Sequence, residues 1–403
     1  MSEVDFFQKN TSDYICPTYA RYPLAVKKAK GCKLYDFEDR EYLDLLAGIS
    51  VCNLGHSHPE IVESIKQQAE KLIHVSNLFY QEEQIQLARK LTATFPDSKA
   101  FFCNSGAEAN EGAIKLTRRY MQKIKNQTRF EIITLTGSFH GRTMATLTAT
   151  GQDKIKDGFA PLLPGFKIIR FNDEQHLEQS ITKDTAAIMI EVIQGEGGVK
   201  PVTKSFVAKI SELCQKHDLL LIVDEIQTGI ARTGRFWAHE HYQLKPDIIT
   251  TAKALAGGLP MGAVLARNNV ASAFGPGTHG TTFGGSPISC MAALKTLEII
   301  ERDNIISMAA QKGLMLQAEL ENVKKRHPEK IREIRGQGLM VGIELTFPGN
   351  KIWLALLEKG FVLNLTQDTV LRLLPPLIIE EDHLKSFAVA LDQLLGSKEL
   401  CEP

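Results

Sequence analysis

Residues 246–262 read PDIITTAKALAGGLPMG. The run Asp247-Ile-Ile-Thr-Thr251 is rich in β-branched residues and suits a buried strand, and Lys253 follows it almost at once. Gly257, Gly258, Pro260 and Gly262 then crowd turn formers together, so the strand empties into a loop. Such a loop lets the backbone approach another group closely, while the strand end holds the amine on a rigid element. Taken alone, the stretch admits a surface lysine at a strand terminus. It also admits an amine nucleophile, partly desolvated and reactive near neutral pH.

Outward from this stretch the chain alternates strands and helices. Candidate strands Ala100–Cys103, Ile132–Thr136, Lys167–Phe171, Ala186–Glu191, Leu219–Asp224 and Gly262–Ala266 join Asp247–Thr251. Several are continuous apolar runs, which is how strands buried on both faces read. In Thr203–His217, apolar Phe206, Ile210, Leu213 and Cys214 share one face at helical spacing. The pattern predicts an α/β fold with a mostly parallel, helix-flanked sheet over residues 76–300. Residues 1–75 carry a hairpin-like alternation at Gly31–Asp39, a strand at Tyr42–Leu46 and a helix from Pro59 to Leu72. This segment is expected to pack with the C-terminal part. Residues 301–403 hold a long helix from near Asn304 to Arg326, strand-like Leu339–Glu344, helical Lys351–Lys359 and strand-like Val370–Leu374, which predicts a smaller α+β domain.

Composition narrows the function classes. Of 403 residues, 43% are hydrophobic and 23% charged, with Lys plus Arg and Asp plus Glu both 47. That balance calls for neither nucleic acid nor an anionic membrane. The seven cysteines are scattered without a C-x-x-C pair, so neither a disulfide framework nor a zinc site is expected. The pairs His56/His58 and His239/His241 have no nearby third ligand, and no metal is expected. The N-terminus MSEVDFFQKN lacks the features of a secretory signal or transit peptide, so a cytoplasmic protein is expected.

Four motifs sit where strands end. Ser105 and Glu108 have capping-box spacing, with Gly106 and Ala107 as the first helical residues. Their free N–H groups suit a phosphate, or the motif is simply a well-capped helix. Gly137-Ser-Phe-His-Gly-Arg142 offers Phe139 as a stacking face and Arg142 as a carboxylate fork, unless these are a core ring and a solvated charge. Glu191-Val-Ile-Gln-Gly-Glu-Gly-Gly198 carries two carboxylates into a glycine turn. Asp224 ends an apolar strand, where open α/β sheets place their ligands. A phosphate site, an aromatic face, a buried carboxylate and an amine together describe a pyridoxal phosphate site.

At this point the sequence resembles the class III (ornithine/acetylornithine type) aminotransferases of pyridoxal-phosphate fold type I, over nearly the whole chain. The D-E-x-Q-T-G segment at 224–229 and A-K-A-L-A-G-G-L-P-M-G at 252–262 carry the likeness. The resemblance implies an aspartate-aminotransferase-like large domain. It implies that Lys253 carries the cofactor, that Asp224 partners its ring nitrogen and that Gln227 lies near its ring hydroxyl. Phe139 then stacks on the ring, and Ser105, Gly106 and Ala107 form the phosphate loop. Thr282 is implied as a phosphate contact given by a neighbouring subunit, and hence a homodimer with shared sites.

Further details resemble acetylornithine-using members, among them His74-Val-Ser-Asn-Leu-Phe-Tyr80. The resemblance implies that Arg142 and Thr281 contact the substrate, that Arg372 binds an α-carboxylate, and that Glu196 neighbours this arginine so that one site serves both amine donor and 2-oxoglutarate. It implies transfer of the terminal amino group of N2-acetyl-L-ornithine in arginine biosynthesis. Ornithine, succinylornithine, succinyldiaminopimelate and 4-aminobutyrate are the alternative donors. The chain departs from the family pattern at Thr281, Ser286 and Val192, where Ser, Asn and Pro are usual. A dehydrogenase reading of Gly336-Gln-Gly338-Leu-Met-Val-Gly342 fails because the glycines precede a strand rather than follow one.

Overall fold

Seven strands form one sheet in the order Ser98–Cys103, Gly262–Arg267, Ile248–Thr251, Leu220–Asp224, Thr185–Ile190, Glu131–Leu135, Phe166–Ile169. All seven were expected, with ends that shift by a residue or two. Gly262–Arg267 runs antiparallel to both neighbours, and the remaining pairs are parallel. Every residue of Thr185–Ile190, Leu220–Asp224 and Ile248–Thr251 is buried, which accounts for their unbroken apolar and β-branched character. The structure is a computed structural model describing residues 3–401. Met1, Ser2, Glu402 and Pro403, at the ends of the expected terminal segments, lie outside the described residues.

This topology gathers the motifs at one sheet edge. Parallel pairing sets Asp224 opposite Thr250, so Lys253 emerges beside the aspartate. Two antiparallel steps return Ser98–Cys103 to the same direction, so the helix Gly106–Lys123 also begins at that edge. Ser105 caps it, its Oγ accepting from Glu108 N at 3.2 Å. The return bond differs from the expected box: Glu108 Oε2 accepts from Asn104 N at 2.5 Å, one residue earlier than the cap itself.

The N-terminal strands Lys28–Lys30, Lys33–Tyr35 and Glu41–Asp44 form a second sheet, joined in parallel by Phe361–Val362. The hairpin expected over Gly31–Asp39 turns earlier, at Gly31–Cys32. Residues 36–40 make a separate turn in which Asp36 Oδ1 accepts from the N–H groups of Glu38 and Arg40 at 3.0 and 2.9 Å. Ile331–Gln337, Met340–Leu345, Val370–Leu373 and Asn364–Thr366 form a third, antiparallel sheet. Gly338, with φ of 54°, sits in the hairpin turn between the first two, so the glycine stretch at 336–342 is a turn and the strand it leads into.

Fully buried Arg232 ties these parts together. It donates to Ser50 Oγ at 2.9 Å, Asn53 Oδ1 at 2.5 Å, and the carbonyls of Leu339 and Pro375 at 3.0 and 2.6 Å. Among the described residues no helix is long and apolar enough to cross a membrane.

Candidate active site

Lys253 opens a short 3-10 turn, Lys253–Ala256, that Gly257 closes in a left-handed conformation. The lysine itself has φ of 40°, an unfavourable value for a residue with a side chain and one that surrounding structure must hold. Its amine faces a cavity of about 430 Å³ that Asp224, Phe139, Gly106 and Gln227 also line. Burial, helped by the Arg372 charge, pushes the amine down from 10.5 to about 8 against the pull of Glu196, Asp224 and Glu191.

Asp224 is 3% exposed. Its Oδ2 accepts from Asn110 Nδ2 and His140 Nδ1, both at 2.8 Å, and its Oδ1 from Ile226 N at 3.1 Å. Burial opposes a charged His140, but the hydrogen bond and charge of Asp224, with Glu191 adding, raise it above its ordinary value. His140 Nε2 is buried with no partner among the described residues. Glu191 Oε2 accepts from Phe139 N at 2.9 Å and so anchors the loop that carries the ring. Its carboxyl is pushed above the usual range by burial.

The helix N-terminus supplies the anion end of the cavity. Ser105, Gly106 and Ala107 all line it, and the first N–H groups of a helix have no intrahelical partner. A Cβ on Gly106 would lie 2.9 Å from the Ile226 side chain, so glycine lets the helix start close against the strand-end loop. Arg142, exposed at the rim, lies with its guanidinium 5.6 Å from the centre of the Phe139 ring.

Arg372 stands behind the cavity wall. It donates from Nη1 to Glu196 Oε1 at 2.6 Å and Gln227 Oε1 at 3.2 Å, and from Nη2 to Asn364 Oδ1 at 2.7 Å. Gln227 Nε2 in turn donates to Glu196 Oε1 at 3.4 Å. Burial disfavours ionised Glu196, but the Arg372 and Lys253 charges and these bonds outweigh it and hold its carboxyl below the usual range. An amine that gives up its proton more readily than an ordinary lysine thus shares a cavity with a buried carboxylate, a helix N-terminus and Arg142, with Arg372 behind the wall.

The Aminotransferase class-III family model matches residues 14–395. The chain belongs to the class III aminotransferases. An acetylornithine aminotransferase of Methanocaldococcus jannaschii is 49% identical over 381 residues, covering 94% of this chain and 96% of that protein. The ornithine aminotransferase of Toxoplasma gondii has a similar structure, with a TM-score of 0.95 at 31% identity, covering 99% of this chain and 96% of the other. An acetylornithine aminotransferase of Elizabethkingia anophelis follows at 0.87 and 33%, covering 98% and 99%.

Three expected site residues of this aminotransferase do not line the lysine cavity: Arg372, behind its wall, and Thr281 and Thr282, farther off. Thr281 lines a separate cleft and accepts from Asn104 Nδ2 at 3.0 Å. Thr282 is exposed and lines another shallow cleft with Ser76 and Leu78. Conversely, sequence reasoning did not single out Asn110 or His140 as site residues. His140 lay inside the motif at 137–142 and Asn110 two residues past Glu108, but only tertiary contact with Asp224 gives them a role.

Proposed function

We propose that this class III aminotransferase uses pyridoxal phosphate to move the terminal amino group of N2-acetyl-L-ornithine to 2-oxoglutarate, giving N-acetyl-L-glutamate 5-semialdehyde and L-glutamate, within arginine biosynthesis. The observation that carries the chemistry is Lys253 beside Asp224 at adjacent strand ends, in one cavity with a helix N-terminus. Support for the donor comes from relatives bearing that name at 40–49% identity.

The residues present fit the cofactor. Gly106 and Ala107 would hold its phosphate, Phe139 its ring face, Gln227 its ring oxygen and Asp224 a protonated ring nitrogen. Asp224 has only backbone and neutral or imidazole donors around it, so a ring N–H suits its remaining lone pairs. When bound, the cofactor accepts the electron pair released as the substrate's C–H bond breaks. Lys253 would anchor it and then, freed by the incoming amine, carry the proton on Nζ. Arg142 and Arg372 would hold substrate carboxylates, with Glu196 neutralising Arg372 while the amine donor is bound. Two half-reactions give ping-pong kinetics.

We infer a cytoplasmic homodimer in which Thr282 serves the neighbouring site, with Thr281 as a substrate contact. Beside them lie Leu78, Tyr80 and Phe283, exposed by 89%, 101% and 65%, an apolar patch that a second copy would cover. The division into residues 1–75, 76–300 and 301–403 is proposed on the same footing. In it the first segment packs with the last, a reading supported by the pairing of Glu41–Asp44 with Phe361–Val362.

A panel of amine donors with 2-oxoglutarate tests the reading. N-acetylornithine is expected to exceed ornithine by a wide margin, with succinyldiaminopimelate as a second accepted donor. A preference for ornithine, succinylornithine or 4-aminobutyrate ends the substrate reading. A protein that takes up no pyridoxal phosphate ends the cofactor reading.

A further inference from the structure

We propose that Asn110, held by Thr250, is a positioning residue that aims Asp224 at the cofactor's ring nitrogen. The proposal rests on the reading of Asp224 given above. Asn110 is fully buried on the Gly106–Lys123 helix. Both its amide hydrogens are used: Nδ2 donates to the His140 carbonyl at 2.7 Å and to Asp224 Oδ2 at 2.8 Å. Its Oδ1 accepts from the hydroxyl of Thr250, also fully buried, at 2.7 Å.

The orientation of this amide follows from its partners. His140 O and Asp224 Oδ2 are both acceptors, so the nitrogen must face them and the oxygen must face Thr250. A flipped amide would bring three acceptors together in a buried site, which is strongly unfavourable. With the amide fixed, Asp224 Oδ2 is occupied by Asn110 and His140, both protein donors. Oδ1, with one backbone donor at 3.1 Å, keeps a lone pair for a group in the cavity.

The same relay joins the two strands that carry the chemistry. Thr250 lies opposite Asp224 in the sheet and three residues before Lys253. A hydroxyl and an amide therefore hold the carboxylate in register with the strand that delivers the amine. Charges placed this way help only if their supporting shell is locked, because a small misalignment weakens the contact that forms with the reacting group.

The test uses cofactor-loaded enzyme and three variants. Asn110→Asp is isosteric but turns two donors toward acceptors into an acceptor–acceptor clash. Thr250→Val removes the hydroxyl at constant shape, and Thr250→Ser keeps it. The pH titration of the bound cofactor's absorbance reports the ring-nitrogen environment, and single-turnover rates with the amine donor report the chemistry. Asn110→Asp is expected to displace the titration and slow the first half-reaction about 10–100-fold, the scale seen when outer partners of a functional group are lost. The dissociation constant for 2-oxoglutarate, taken from single turnover of its own half-reaction, is expected to hold within about threefold, since no substrate contact is removed. Thr250→Val should show the same signature at smaller amplitude, and Thr250→Ser should restore it to wild type. The proposal is overturned by wild-type titration and rate in both Asn110→Asp and Thr250→Val, or by Thr250→Ser matching Thr250→Val. Should Asn110→Asp not fold, the Thr250 pair decides alone. Asp224→Asn separates the underlying reading: a wild-type titration there removes the role of Asp224 itself, whatever Asn110 does.

Discussion

Arg372 and Glu196 form a lopsided pair: the nitrogen-to-oxygen distance is 2.6 Å, with 1% of the arginine side chain exposed against 29% of the glutamate. Asn364 and Gln227 hold the guanidinium from other sides, so the glutamate is the partner free to swing away. With Glu196 in place Arg372 is neutralised, and without it an unpaired cation stands just behind the cavity wall. Glu196→Ala is expected to lower kcat/KM for the amine donor on the order of tenfold, because the bare arginine draws the donor's carboxylate into an unproductive pose. The half-reaction with 2-oxoglutarate, which wants that arginine, should be spared. Separate half-reaction measurements check this, and an equal loss in both would count against it.

Lys253→Ala removes the amine proposed to anchor the cofactor. Borohydride reduction of loaded wild-type protein is expected to leave a permanent mass increase on the peptide containing Lys253, and none in the variant. Turnover should fall by roughly 10²–10⁴ at least, the usual contribution of a positioned acid–base group. A labelled peptide elsewhere in the chain would transfer the role to another lysine.

How far the sequence carried can be argued from particular residues. Asp224 and Lys253 were legible because strands buried on both faces leave apolar runs, and a charged residue at such a run's end stands out. Ile331–Gln337, which reads IREIRGQ, was not, because only two of its seven residues are buried and its charges hide the period. Arg335 within it is paired with Glu344 and with the carbonyls of Gly198 and Val199, contacts set by a turn far away in sequence. The left-handed run Ala47–Ser50, with positive φ at all four residues, has one glycine and no signature that local rules read. Glu196 was legible only as a carboxylate in a glycine turn, and Arg372 came from family resemblance alone. One sits in a turn and the other on a strand of a distant sheet, and no spacing links them.

Arg232→Met tests the buried junction between the N-terminal segment, the central sheet and the C-terminal sheet. The substitution fills similar volume but strands the carbonyls of Leu339 and Pro375 in a dry site and leaves Asn53 Oδ1 only the longer bond from the Ser50 hydroxyl at 3.3 Å. The expected loss is about 2–5 kcal/mol, from buried carbonyls left without a donor at about 1–3 kcal/mol each. Urea unfolding measures it, and a change below about 1 kcal/mol would mean the surroundings rearrange to satisfy those groups.

The depressed amine of Lys253 makes a stability prediction independent of turnover. Its value in the folded protein is about 8 against an ordinary 10.5. Below pH 8 the lysine is protonated in both states, and the folded state bears the full cost of holding that charge in a desolvated site. Between 8 and 10.5 the folded amine is neutral while the unfolded one still binds a proton, so stability rises with pH across this window. Lys253→Met removes the cost. In cofactor-free protein the variant is expected to be more stable than wild type at pH 7 by up to roughly 3 kcal/mol. The gap should close steadily above pH 8 and vanish near 10.5. Urea midpoints across that range measure the gap, and a difference that stayed constant or widened with pH would show that the lysine is not held in the neutral form by burial.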